Sequence, residues 1–145
     1  MKLFDTTVLI AAFCSWHQDH PACLSAWRGC LSGGVSPIIA AHSVAEFYSV
    51  LTRLPSPHRL SAADAYALVE TNMAKQSIIA LSPQDYLEAI ADCRNRRVVG
   101  GSVYDALLVK AAVVGQAQQI ATLNPRHFGR LVPPDIEVLS PSQFP

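Results

Sequence analysis

The stretch Lys2-Leu-Phe-Asp-Thr-Thr-Val-Leu-Ile-Ala-Ala-Phe13 most constrains the fold. It reads as a short apolar strand, a carboxylate at Asp5, then a Thr pair and an apolar run that opens a helix. A strand leading straight into a helix is the first half of a β-α-β unit. An acid at that junction sits outside the carboxyl end of a strand, where open α/β sheets place their ligands. Thr6 or Thr7 is expected to cap the helix.

The rest of the chain repeats this alternation. Val35 to Ala40 is a short apolar strand, followed by a helix from Val44 to Leu54 with Val44, Phe47, Tyr48 and Leu51 on one face. Pro55 and Pro57 stop that helix. Ser61 caps a helix running to about Met73, with Ala63, Ala67 and Leu68 apolar along it. Ser77 to Leu81 is a strand. Ser82-Pro83 opens a helix to Arg97 that carries Tyr86, Leu87, Ile90, Ala91 and Cys93. Val103 to Gly115 is the most apolar helix. Gln119 to Leu123 is a strand, Asn124-Pro125 turns into a short helical piece, and Ile136 to Leu139 is a last strand. The tail from Ser140 to Pro145 is expected to be loose. In the N-terminal third, Ala11 to Leu31 reads as helical with a break at Trp16 to His20, Pro21 restarting it and Gly33-Gly34 closing it. Strands alternating with helices predict an α/β fold with a mostly parallel sheet. At 145 residues the chain fits one domain, residues 1–145.

Half the residues are apolar and formal net charge is zero, so a core is available and bulk charge gives no argument for gripping long nucleic acid. Arg94, Arg96 and Arg97 form a local basic cluster that reads equally as a solvated helix end. The four cysteines have neither zinc nor disulfide spacing, and reduced thiols in a cytoplasm fit them. No segment has the apolar length of a membrane span, and Asp5 interrupts the N-terminal apolar run.

Three acids lie in apolar settings at equivalent places. Asp5 follows one strand, and Glu46 and Asp105 lie early in helices, each expected in the first turn. Each alone has a plain structural use, as a helix cap or a partner of the helix dipole. Together at one sheet edge they would repel unless a cation neutralised them, and hard oxygen ligands suit Mg²⁺ or Mn²⁺.

Four segments in order carry a resemblance: Phe4-Asp-Thr-Thr-Val-Leu-Ile10, Ala45-Glu-Phe with Leu51-Thr-Arg53, Val103-Tyr-Asp-Ala-Leu-Leu108 with Ala111-Ala112, and Ala121-Thr-Leu-Asn-Pro-Arg-His-Phe128. They span nearly the whole chain, which resembles the PIN-domain family and, within it, VapC-type toxins of bacterial toxin–antitoxin pairs. The resemblance implies a three-layer α/β/α sandwich, a homodimer, a cognate antitoxin, and cleavage of a specific structured RNA with Mg²⁺, or Mn²⁺ in its place. It assigns Asp5, Glu46 and Asp105 as metal-binding and catalytic residues. Thr6, Thr122 and Asn124 are expected to support them, and Arg53 and His127 to contact RNA or antitoxin. One departure stands out: Asn124 and His127 occupy positions where such chains often carry a fourth acid. That leaves a rival reading, a decayed binding module acting through a protein partner. A phosphatase of the haloacid dehalogenase class would need an acid at position 7, where this chain has Thr7.

Overall fold

The computed structural model describes residues 1–34 and 36–144. Five short strands, β1 (Lys2–Phe4), β2 (Ile38–Ala40), β3 (Ser77–Ile79), β4 (Gln119–Ala121) and β5 (Glu137–Leu139), form one sheet. Every pairing is parallel, in the order β3-β2-β1-β4-β5. The helices are α1 (Thr6–Phe13), α2 (His20–Ser32), α3 (Ala41–Arg53), α4 (Ala62–Asn72), α5 (Pro83–Arg96), α6 (Ser102–Val114) and α7 (Pro125–Phe128).

Side chains alternate along each strand and so feed two cores. Phe4, Ile39 and Ala121 face one side, packing with α1, α2, Phe47 and Leu51 of α3, and Ala65 of α4. Leu3, Ile38, Ala40 and Ile120 face the other, against α6, Cys93 of α5 and Phe128 of α7. The result is the expected three-layer sandwich. Trp27 anchors the first core, meeting Phe4 and Phe13 edge-on at 5.1 and 5.2 Å.

Several expectations shift. Helix α3 begins at Ala41, straight out of β2 and without a side-chain cap. Glu46 is therefore its sixth residue, beyond the first turn, and the dipole explanation for that acid falls away. The buried stripe of α3 is Ser43, Phe47 and Leu51, and Tyr48, one residue off that line, is exposed. Helix α4 buries Ala65, while Ala63 and Ala67 face solvent. Helix α5 has the capping box that Ser82 announced, closed by Asp85, but buries only Ala89 and Cys93. Its Tyr86, Leu87, Ile90 and Ala91 are exposed. The tail is not loose as far as it is described. Pro141–Gln143 form a 3₁₀ turn, Phe144 packs on the first core, and the Lys2 ammonium lies 6.0 Å from the Phe144 ring centre. The expected strand start at Val35 and the last residue, Pro145, lie outside the described residues.

Candidate active site

Chain direction across the sheet reverses between β1 and β4. From β1 the chain passes to β2 and β3 on one side, then returns to β4 and β5 on the other. At such a switch point the loops leaving adjacent strands part, and a crevice opens beyond their carboxyl ends. Asp5 leaves β1 there, and Thr122 leaves β4. The Asp5 N–H donates to the Ala121 carbonyl at 3.0 Å, which stitches the two exits together.

Asp5 stands at the position before α1 with extended backbone, and its side chain makes no cap bond. Thr6 and Thr7 are likewise not caps but lie inside the helix, and their hydroxyls organise the acids. Thr6 Oγ1 donates to Glu46 Oε2 at 2.7 Å. Thr7 Oγ1 and Thr122 Oγ1 each donate to Asp5 Oδ2 at 2.6 Å. Thr122 is fully buried and also accepts the Asn124 N–H at 3.0 Å. Thr7 Oγ1 in turn accepts the Leu123 N–H at 3.3 Å. Hydroxyl donors to a carboxylate are charge-assisted and fix its rotamer.

The acids open onto a cavity of about 620 Å³, with Thr122 buried behind it. Asp5, Glu46 and Asp105 all face it, with Thr6, Thr7, Asn124 and His127. Asp105 lies in the first turn of α6, as expected. Burial pushes its carboxyl above the ordinary range, the His127 ring opposes that, and the charges of Asp5 and Glu46 push it further up. His127 Nδ1 lies 3.6 Å from Asp105 Oδ2, on a largely exposed ring. Arg53 does not line the cavity. Seven residues beyond Glu46 it shares the acid's side of α3, but two helical turns place it about 10 Å further along the axis.

Sequence reasoning missed His42. It precedes Glu46 by four residues, hence on the same helix face, and it lines the cavity. That spacing was the available signal. Burial lowers the His42 pKa, and Glu46 and Asp5 partly offset this. Ser102 and Tyr104, at the start of α6, complete the rim.

The acids share a wall without closing into a ligand cage. Among the described residues no three His, Cys, Asp or Glu side chains converge as a metal-ligand group. Their chemistry nevertheless fits a hard divalent cation. Among the described residues no hydrogen bond reaches Asp5 Oδ1 or Glu46 Oε1, while the opposite oxygen of each is held by threonine. Mg²⁺ takes one or two carboxylates and keeps several waters, so it suits an open, oxygen-lined site. A cation there would also relieve the repulsion that Asp105 feels from Asp5 and Glu46.

A fold with this switch-point cavity and these acids defines a class. The PIN-domain family model matches residues 2–132, and the chain belongs to that family. Among characterised relatives it is similar to Ribonuclease VapC40 of Mycobacterium tuberculosis, 38% identical over 104 residues, covering 72% of each chain. It is also similar to Ribonuclease VapC27 of the same organism, 32% identical over 122 residues, covering 84% of this chain and 83% of the relative. In three dimensions it matches a chain of VapBC2 from Rickettsia felis, solved bound to a DNA fragment from their promoter, with a TM-score of 0.67 at 15% identity. That match covers 96% of this chain and 97% of the other. The fold and the family that the four segments implied are both borne out.

Proposed function

We propose that the chain is a metal-dependent endoribonuclease, the toxin of a toxin–antitoxin pair, with its active site at Asp5, Glu46 and Asp105. The observation that carries this is three carboxylates, one in each of three separate segments, lining one cavity at the sheet's switch point. Two relatives that carry the name ribonuclease support the substrate class. Asp5, Glu46 and Asp105 would hold Mg²⁺ or Mn²⁺ directly or through water, and the ion would supply Lewis acidity at the scissile phosphate. Thr6, Thr7 and Thr122 hold the carboxylates in register. Asn124 keeps its side-chain amide free of any capping bond, so it can complete the water shell.

An antitoxin partner is supported by the VapBC2 complex. A second copy of the chain has apolar surface available, since Leu87 and Ile90 on α5 and Val113 and Val114 on α6 are exposed. No helix among the described residues is long and apolar enough to cross a membrane. A cytoplasmic location is part of the proposal, since that is where the RNA substrate is. The absent fourth acid favours one rival, the decayed binding module.

Cleavage of total cellular RNA by purified, partner-free protein separates the two. Discrete products are expected with Mg²⁺ or Mn²⁺, none with EDTA, and none from Asp5→Ala. Folded protein that cuts nothing under either metal would overturn the enzyme and leave the binding module.

A further inference from the structure

The acidic cavity does not end at Asn124. A second bay of about 410 Å³ shares Thr7, Ile10 and Asn124 with it and continues over Leu123 to His17, Gln18 and Asp19, in the turn between α1 and α2. The shared residues set the two side by side, one holding the acids and the other with a different chemistry.

Among the described residues no lysine or arginine lines the bay, so it is not built for a phosphate. Ile10 and Leu123 supply its apolar surface. The rest of its lining is a set of hydrogen-bonding groups. The Asp19 N–H donates to His17 Nδ1 at 3.1 Å, which leaves Nε2 to offer a donor. The Asp19 carboxylate is an acceptor, held 3.8 Å from the same ring nitrogen. Gln18 is exposed and its amide offers both donor and acceptor, as does that of Asn124. The His17 ring is backed by Trp16 at 5.8 Å, and Trp16 is itself stacked on His58 at 4.3 Å, which fixes the wall. Apolar surface from Ile10 and Leu123 among amide, imidazole and carboxylate groups suits an unpaired nucleobase. Such a base is read on its edges while its face rests on apolar or aromatic surface.

We propose that this bay receives an unpaired base of the RNA next to the scissile phosphate, and that Gln18 and His17 thereby set the sequence at which the chain cuts. This rests on the ribonuclease reading of the acid site. The base would enter from a loop or single-stranded segment, because a stacked, paired base presents no free edge. The Asp19 carboxylate is best matched by guanine, whose ring N–H and exocyclic amine donate side by side, over uracil, whose single ring N–H lies between two carbonyl acceptors.

The test maps every cleavage site in total RNA by 5′-end sequencing for the wild type, Gln18→Ala and His17→Phe, each with Mn²⁺. It also measures kcat/KM on an oligonucleotide carrying the preferred site and on one with the adjacent base changed. Both residues lie in a surface turn, and circular dichroism and Tm verify that the variants fold. For Gln18→Ala the account expects about a tenfold fall in kcat/KM on the preferred oligonucleotide, with a smaller fall on the altered one. The ends should spread over more sequences. Unchanged site distribution and unchanged preference in both folded variants would overturn the subsite while leaving the nuclease intact. If those variants instead escape inhibition by a bound protein partner with their cut sites unaltered, the bay belongs to that protein and the proposal also falls. A wild type that cuts nothing would count against the nuclease itself, and the base-reading role would fall with it.

Discussion

Thr122 is the point at which the fold and the proposed chemistry meet, and replacing it with valine removes one hydroxyl while nearly conserving shape. In the native chain that oxygen donates to Asp5 Oδ2 at 2.6 Å and accepts the Asn124 N–H at 3.0 Å, with no exposure to water. A hydrogen bond to a charged group contributes about 1.5 to 3 kcal/mol, and leaving a buried donor without a partner adds a desolvation cost of about 1 kcal/mol or more. Thr7 still holds Asp5, so the net loss for Thr122→Val should be about 2 to 3 kcal/mol. For a chain of this size that lowers Tm by about 6 to 9 °C. Thr122→Ser keeps the oxygen and should lose much less, only the packing of one methyl group. Thermal unfolding by circular dichroism in EDTA reads both. The same measurement in an Asp5→Ala background supplies a double-mutant cycle, and the cost of Thr122→Val should shrink there because the charged acceptor is gone. Equal losses in both backgrounds, or a Tm unchanged by Thr122→Val, would refute the claim that Thr122 holds the carboxylate. Cleavage should fall about tenfold alongside, since a misplaced reacting geometry is costly well beyond its stability effect.

Other outcomes follow from the same geometry. Asp105→Asn should abolish cleavage yet raise the Tm of metal-free protein by a few degrees at most, because burial and the Asp5 and Glu46 charges, only partly opposed by His127, work against the ionised carboxyl. A carboxyl whose folded pKa is raised binds its proton more tightly when folded, so the cost fades as pH falls. The gap between wild type and Asp105→Asn should therefore close in an acid Tm series. The Ser82 hydroxyl and N–H, with a smaller part from Lys110, hold the Asp85 carboxyl below its ordinary value. Its stabilisation is present above the unfolded pKa and lost as pH falls through the folded one, so Asp85→Asn should flatten the acid limb of a Tm-against-pH curve slightly. Gly115→Ala should cost about 1 to 3 kcal/mol by denaturant unfolding, since a Cβ there meets Ile79 Cγ1 at 3.0 Å, the Ala111 carbonyl at 3.1 Å and Ile38 Cγ2 at 3.3 Å.

The parts of the fold written in local pattern were legible in the sequence. Strand, acid and helix at residues 2–13 stand as read, and so do the Ser61 and Ser82 caps, because those signals lie within a few residues of what they control. The start of α3 was not legible. Ala40 and Ala41 carry no capping side chain, and the helix begins there because β2 ends against it. The order of the Phe144 tail comes from packing against a core assembled from residues distant in sequence, which no local window contains. Exposure of Leu87 and Ile90 has the same origin, since α5 meets its layer through Ala89 and Cys93. In the site, the three acids that line the cavity were singled out in the sequence, and Thr6 and Thr122 were expected to support them; Thr7 was read only as a cap. Which acid each of Thr6 and Thr122 holds was not legible, because those bonds span 40 and 117 residues of sequence. His42 was hidden because a histidine at a helix start has an ordinary use.

The central claim is that three carboxylates from separate segments act as one divalent-cation centre. Titration of Mn²⁺ into metal-free protein, followed by calorimetry and by the electron paramagnetic resonance of free Mn²⁺, tests it directly on wild type, Glu46→Gln and Asp105→Asn. The account predicts saturable binding to wild type, a Tm that rises with Mn²⁺ concentration, and loss of both in each variant. Wild-type protein that binds no Mn²⁺, or variants that bind it as wild type does, would contradict the account.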